Sequence, residues 1–206
     1  PALTVRVCDS VTCELFGANQ LFTALSGALD GRVRVQRVPC VGRCDQAPVA
    51  VVGQRPVPRA KVDTVKALID DGRQTFESSN DWIRLADYRQ QGGYLLYQQC
   101  HDGSCDPEVI ISALESSGLR GLGGAGFPAG RKWRILKEQS SPRLMAVNID
   151  EGEPGTFKDR VYLERDPHRF LEGVLIAAKV VGIDACYLYV RDEYPGVLTV
   201  LQQAIE

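Results

Sequence analysis

Two stretches near the start of the chain, Leu3-Thr4-Val5-Arg6-Val7 and Val33-Arg34-Val35-Gln36, alternate apolar and polar residues with the length and period of strands. Between them Leu21, Phe22, Leu25 and Leu29 recur at the spacing of one helical face, which predicts a helix within residues 15–29. Pro48-Val49-Ala50-Val51-Val52 and Arg55-Pro56-Val57 read as a hairpin around Gly53, and residues 60–69 as a closing helix with Val62, Val65, Ala67, Leu68 and Ile69 on its apolar side. The order β-α-β-β-β-α predicts a thioredoxin-sized layer of sheet and helices over residues 1–72.

Residues 73–80 then read as a linker, because Asp70-Asp71-Gly72-Arg73 ends the helix and Glu77-Ser78-Ser79-Asn80 is polar and turn-rich. A second unit is expected over residues 81–206. In it Asp106-Pro107 supplies an N-cap and a first-turn proline, and Val109, Ile110, Ala113 and Leu114 supply the apolar face of a helix that Gly118 ends. Beyond a glycine-rich stretch, the pattern predicts a short helix over 132–139, a buried strand over 144–147 and a polar loop over 148–155. A long helix over 168–181, a strand over 186–190 and a helix over 197–205 follow.

Composition narrows the function classes. Lys and Arg total 24 against 26 Asp and Glu, with no basic block, so a nucleic-acid partner has no electrostatic support. No run approaches the ~18 apolar residues of a membrane span, and the start lacks a secretory pattern, so a cytoplasmic protein is expected. At 206 residues, one or two domains fit. Seven cysteines, an odd number, in a reducing compartment argue against a disulfide framework and for metal or redox chemistry.

Cys8 directly follows the first predicted strand and Cys13 comes five positions on; Cys40 follows the second strand closely and Cys44 comes four later. In a βαβ arrangement the two strands run parallel, so both pairs emerge at the same sheet end and four thiolates can converge. Four thiolates hold zinc or an iron-sulfur cluster. C-x4-C with C-x3-C is wider than usual zinc knuckles and favours a two-iron cluster over zinc or merely structural cysteines. Cys8-Asp9-Ser10-Val11-Thr12-Cys13 and Cys40-Val41-Gly42-Arg43-Cys44-Asp45-Gln46-Ala47-Pro48 resemble the thioredoxin-like [2Fe-2S] ferredoxin domain of the 24-kDa subunits of respiratory complex I. The resemblance implies that Cys8, Cys13, Cys40 and Cys44 are the cluster ligands. It also implies a fusion protein, since the helical region preceding that domain in the stand-alone 24-kDa protein has no counterpart here.

Gly121-Leu122-Gly123-Gly124-Ala125-Gly126 satisfies G-x-G-x-x-G, and backbone without Cβ atoms can approach a phosphate and offer its N–H groups. A dinucleotide fold needs a strand immediately before such a loop, whereas the pattern here puts a helix there. Asp150 lies near the place of a ribose-binding acid, which keeps a dinucleotide-fold dehydrogenase as an alternative, beside a loop serving only a tight turn. The longer stretch 117–133, with Phe127-Pro128-Ala129-Gly130-Arg131-Lys132-Trp133, resembles the FMN and NADH loop of the 51-kDa flavoprotein subunit of complex I. Asn148-Ile149-Asp150-Glu151-Gly152-Glu153-Pro154-Gly155-Thr156-Phe157-Lys158-Asp159-Arg160 resembles that family's second nucleotide segment.

This resemblance implies that Gly121, Gly123, Gly124, Gly126 and Lys132 contact the cofactors and that Phe127 stacks on the nicotinamide nucleotide. It further implies that Asn148, Asp150 and Glu151 hold the flavin and that Glu153 lies by NADH. Leu122 departs from that family, which has arginine there. Leu122, Arg131 and Arg191-Asp192-Glu193-Tyr194-Pro195 are more similar to the flavoprotein β subunit of NAD-dependent, molybdenum-containing formate dehydrogenases. The implied assembly pairs this chain with a molybdenum- and iron-sulfur-containing catalytic subunit and a small [2Fe-2S] subunit, the net direction being toward NADH. NAD-reducing hydrogenase flavoproteins share the fused plan and are the nearest alternative. Family flavoproteins continue with the rest of the FMN site and a region carrying a [4Fe-4S] cluster, so the chain is expected to cover only the N-terminal part.

Other candidates read as bland. Cys100-His101-Asp102-Gly103-Ser104-Cys105 repeats C-x4-C without a second pair in register, Cys186 is expected to be buried in a strand, and His168 to be a cap or surface residue. No protein acid, base or nucleophile is expected to be catalytic, because hydride transfer between bound cofactors needs none. Two other readings stay open: an iron-sulfur carrier lacking its own flavin activity, and a dinucleotide-fold dehydrogenase with structural zinc.

Overall fold

The computed structural model describes residues 3–29, 31–76 and 81–206; residues 77–80 of the expected linker lie outside the described residues. Along the chain run β1 (Leu3–Cys8), α1 (Val11–Leu15), α2 (Ala18–Ala28), β2 (Val33–Val38), β3 (Ala50–Val52), β4 (Arg55–Val57) and α3 (Val62–Asp70). These are followed by α4 (Leu85–Gln90), α5 (Leu95–Asp102), α6 (Pro107–Ser116), α7 (Ala129–Lys137), β5 (Leu144–Ile149), α8 (Asp159–Leu163), α9 (Pro167–Val181), β6 (Ala185–Val190) and α10 (Pro195–Ile205). The architecture is mixed α/β, as expected. Two compact units form: the described residues of Pro1–Asp81 with Ile149–Glu164 and Val190–Glu206, and Trp82–Asn148 with Arg165–Tyr189.

In the first unit the sheet order is β2-β1-β3-β4. β1 and β2 are parallel, with Leu3 opposite Val33 and Cys8 opposite Val38, while β3 is antiparallel to both β1 and β4. Helices α2 and α3 pack on this sheet around Val5, Val7, Leu25, Val49, Val52 and Val65, all fully buried. The helix expected within 15–29 is α2, and a short separate helix, α1, precedes it. Gly17 between them sits at φ +92°, a conformation that interrupts α-helical hydrogen bonding and that glycine adopts without penalty.

In the second unit, Cys100, Ile111 and Val180 form a buried cluster with Trp133 and Ile176 against it. Asp106 caps α6 as expected, its side chain accepting from the Glu108 N–H at 2.9 Å. The deepest residue of that helix is Ile111 rather than the expected face, for Val109 is largely exposed. Helix α7 begins at Ala129, ahead of the expected start. The strand expected to be buried, β5, is exposed at alternate positions, Leu144 included, and Cys186 in β6 is exposed. Among the described residues β5 and β6 pair only with each other, so neither strand is covered as a central strand would be. Among the described residues no helix is long and apolar enough to cross a membrane.

His168 also corrects the sequence reading. It is 2% exposed and is surrounded by Trp82, Tyr88 and Tyr94, with its Nδ1 3.1 Å from the Tyr94 hydroxyl. Burial pushes its pKa below the ordinary value, with Asp166 opposing and Arg89 reinforcing the shift. The unfolded chain therefore binds a proton near pH 6.5 that the folded chain still refuses, and stability falls as pH drops from that point toward the folded pKa. Thermal unfolding at pH 7.5 and 5.5 is expected to show this loss, and His168→Gln is expected to reduce it. Equal pH dependence in the two proteins would contradict the assignment.

Candidate functional site

The parallel pairing of β1 with β2 brings the four cysteines to one sheet end, as the spacing predicts. Cys8 is the last residue of β1, Cys13 lies in α1, Cys40 follows β2, and Cys44 opens a single 3-10 turn over Cys44–Gln46. Their exposures are 1, 1, 4 and 8%. The Cys40 and Cys44 sulfurs are 3.5 Å apart, and Cys8 lies near enough to Cys13 and Cys40 for each to influence its thiol.

Hydrogen bonding to Cys8 and burial push the Cys40 thiol far above its ordinary range; burial alone leads the rise at Cys44. Four buried thiolates are stable only with a compensating positive centre, so metal binding here displaces protons. Among the described residues no group of three or more His, Cys, Asp or Glu side chains is gathered as a single metal ion would need. A two-iron cluster divides four thiolates between two irons, and this donor set of soft sulfurs suits that arrangement.

Buried polar side chains from distant parts of the sequence hold the Cys40–Cys44 loop. Arg191 donates from Nη2 to the Cys40 carbonyl at 2.6 Å and from Nη1 to the Glu151 carbonyl. Arg160, 3% exposed, donates from Nε to the Gly42 carbonyl at 3.2 Å and pairs with Asp45 at 2.6 Å and Glu164 at 2.9 Å. Tyr194 is fully buried, its hydroxyl 3.0 Å from Glu151 Oε2 and 3.3 Å from the Gly42 carbonyl. Backbone N–H groups meet both sulfurs of this loop: Gly42 to Cys40 at 3.4 Å and Gly155 to Cys44 at 3.2 Å. Glu164 carries no sequence signal for this role, and Arg160, Arg191 and Tyr194 stand out only within family-like segments.

Of the acidic segment, Asp150, Glu151 and Glu153 lie in the same unit as the cysteines. Asp150 is about half exposed, with its carboxylate 4.0 Å from Arg191 Nε, and Glu153 is exposed. Glu151 is 5% exposed and accepts from the N–H groups of Lys158, Asp159 and Arg160 at 2.6, 2.9 and 3.3 Å and from Tyr194. Burial opposes its charge, yet the hydrogen bonds from Asp159, Tyr194, Arg160 and Lys158 outweigh it and hold the carboxyl below its ordinary range. Four donors meet a carboxylate with about four lone-pair sites, which leaves little for another ligand.

The glycine loop, Phe127, Lys132 and Asn148 belong to the second unit. The loop leaves α6 through Gly118 at φ +67° and is closed by a bridge between Arg120 and Pro128. At its base the Gly121 N–H donates to the Phe127 carbonyl at 2.9 Å, and Arg120 Nη1 to the Gly126 carbonyl at 3.0 Å. Gly124 and Gly126 have φ of +81° and +58°, and a Cβ at Gly123, Gly124 or Gly126 would meet nothing within 4 Å. The tip is open backbone that a phosphate can approach. Phe127 is 42% exposed, with the Arg131 guanidinium 5.9 Å from its ring, and Lys132 is exposed on α7. An aromatic face, a cation and open amides suit a flavin or nicotinamide nucleotide. The element before the loop is α6 and not a strand, unlike a dinucleotide-binding fold.

Residues 1–73 match the family of thioredoxin-like [2Fe-2S] ferredoxins, and residues 114–206 match the Nuo51 FMN-binding domain. A subunit of the NADH-quinone oxidoreductase of Aquifex aeolicus is 45% identical over 122 residues, 59% of this chain and 28% of that protein. The 51 kDa subunit of mitochondrial NADH-ubiquinone oxidoreductase of Neurospora crassa is 46% identical over 101 residues, 47% of this chain and 20% of that protein. Among solved structures, an NAD+-reducing [NiFe]-hydrogenase in the air-oxidized state matches 98% of this chain and 40% of that chain, with 34% identity and a TM-score of 0.79. The chain thus joins a [2Fe-2S] ferredoxin domain to an FMN-binding domain, and it spans less than a third of the length of these two curated relatives.

Proposed function

We propose that this chain is the electron-exchange part of an NAD(H)-linked oxidoreductase, a diaphorase module that carries sites for NAD(H), FMN and a [2Fe-2S] cluster. The observation that carries the reading is the convergence of four buried cysteines at one sheet end in a chain that also holds an FMN-binding domain. FMN, when bound, supplies the exchange between the two-electron hydride chemistry of NAD(H) and one-electron steps through iron-sulfur clusters.

The residues contribute binding and geometry. Cys8, Cys13, Cys40 and Cys44 hold the cluster. The N–H groups of the open loop at Gly123, Gly124 and Gly126, with Lys132, receive phosphate, Gly121 closes the base of that loop, and Phe127 offers a stacking face. Asn148 and Asp150 hydrogen-bond the flavin and Glu153 lies by NADH, while Glu151, expected to hold the flavin, has its carboxylate taken up by four donors and instead holds the segment that carries Asp150 and Glu153. In chain order the modules are residues 1–72, a linker over 73–80, and residues 81–206. The work is cytoplasmic, within a multi-subunit assembly.

Leu122, Arg131 and the Arg191 to Pro195 motif support an assembly that oxidises formate through a molybdenum-containing subunit and delivers the electrons to NAD+. The likeness across 98% of the chain to an NAD+-reducing [NiFe]-hydrogenase supports a second reading, with hydrogen as the electron source. Either way the donor chemistry lies in another subunit.

The test is an anaerobic NADH titration of the purified chain supplemented with FMN. Bound flavin that bleaches with NADH, together with reduction of the cluster signal, is the expected result. A cluster spectrum with no flavin binding and no response to NADH would leave only the iron-sulfur carrier.

A further inference from the structure

The acidic segment assigned to flavin and nucleotide also reaches the cysteine loop within its own unit. Cys40 receives its N–H from Gly42, two residues away, whereas Cys44 receives its N–H from Gly155, 111 residues on. Gly155 sits at φ +88°, and a Cβ there would meet nothing within 4 Å, so what the position demands is a backbone conformation and not space.

The aim of that N–H depends on how the segment is seated. The Glu151 carboxylate gathers the N–H groups of residues 158–160 at its far end, and the Tyr194 hydroxyl ties the same carboxylate to the Gly42 carbonyl. Arg191 bridges the Glu151 and Cys40 carbonyls, and Arg160 spans from Gly42 to Asp45. Each of these four side chains is at most 8% exposed, so the seating is internal to the unit.

We infer that segment 149–164 tunes the cluster, with Gly155 donating a hydrogen bond to the Cys44 thiolate and Glu151, Arg160, Arg191 and Tyr194 acting as positioning residues. The inference rests on the reading of the four cysteines as cluster ligands. A hydrogen bond to a thiolate sulfur stabilises negative charge, and one-electron reduction adds negative charge to the cluster, so the reduced form gains more and the potential rises. Because Asp150 and Glu153 lie on the same segment, a nucleotide held there shares its support with the cluster.

The experiment compares the anaerobically purified 206-residue chain with Gly155→Ala, Gly152→Ala and Tyr194→Phe. Gly152 has an ordinary φ and open space around a Cβ, so its alanine variant is the control. Iron and sulfide content and the cluster midpoint potential, from redox titration followed by electron paramagnetic resonance, are the readouts. Gly155→Ala is expected to keep its cluster with a lower potential, Tyr194→Phe to shift the same way by less, and Gly152→Ala to match the unsubstituted chain. If Gly155→Ala fails to fold, the Tyr194→Phe shift alone decides. Equal potentials in all cluster-bearing proteins would overturn the tuning. Absence of iron and sulfide from the unsubstituted chain would instead overturn the ligand assignment beneath it.

Discussion

Cys40→Ser is expected to abolish iron and sulfide binding while leaving the sheet intact. Cys40 is 4% exposed, with its sulfur 3.5 Å from that of Cys44 and accepting the Gly42 N–H. Serine is close in shape but offers a hard oxygen that stays protonated where a thiolate is needed. Altered support around a metal ligand already costs about 10- to 100-fold in affinity, so loss of the ligand itself is expected to exceed that. Far-ultraviolet circular dichroism should be unchanged, because Cys40 lies outside β2. Cys100→Ser, Cys105→Ser and Cys186→Ser should keep full iron content. A Cys40→Ser protein with undiminished iron and sulfide would contradict the assignment.

Gly42→Ala is expected to cost about 2–5 kcal/mol, combining overpacking in a buried site with left-handed strain. A Cβ at Gly42 would lie 2.1 Å from Tyr194 Oη and 2.5 Å from its Cε1, and the residue sits at φ +68°. Tyr194 is fully buried and tied to Glu151, so it cannot move aside without leaving that carboxylate short of a donor. Gly27→Ala in α2 is the matched control. Its Cβ would meet nothing within 4 Å, and alanine there is expected to stabilise by up to about 1 kcal/mol. Denaturant titrations of the two variants measure the contrast, and a Gly42→Ala protein as stable as the unsubstituted chain would show that the loop is not packed as described.

What could be read from the sequence follows the range of the interactions. Alternation in residues 3–7 and 33–36 is local, and the right-handed βαβ crossover turns it into parallel β1 and β2 with cysteines at one end. The Asp106 cap is equally local. The clamp on the cysteine loop is not: Arg160 meets Gly42 across 118 positions and Arg191 meets Cys40 across 151, and no periodicity encodes such pairs. Glu151 shows the same limit, since an acid in a polar loop gives no sign that four donors will fold onto it. His168 reads as a cap because Pro167 opens a helix beside it, but its environment comes from Trp82, Tyr88 and Tyr94. Helices α4 and α5 are illegible for a related reason: they are short, separated by Gly92-Gly93, and buried through Tyr88 and Cys100 without an aliphatic stripe.

The most direct test of the central claim is the metal and acid-labile sulfide content of the anaerobically purified chain. The account predicts two irons and two sulfides per chain, and an electron paramagnetic resonance signal that appears on reduction. One zinc per chain without sulfide, or neither metal nor sulfide, would contradict it.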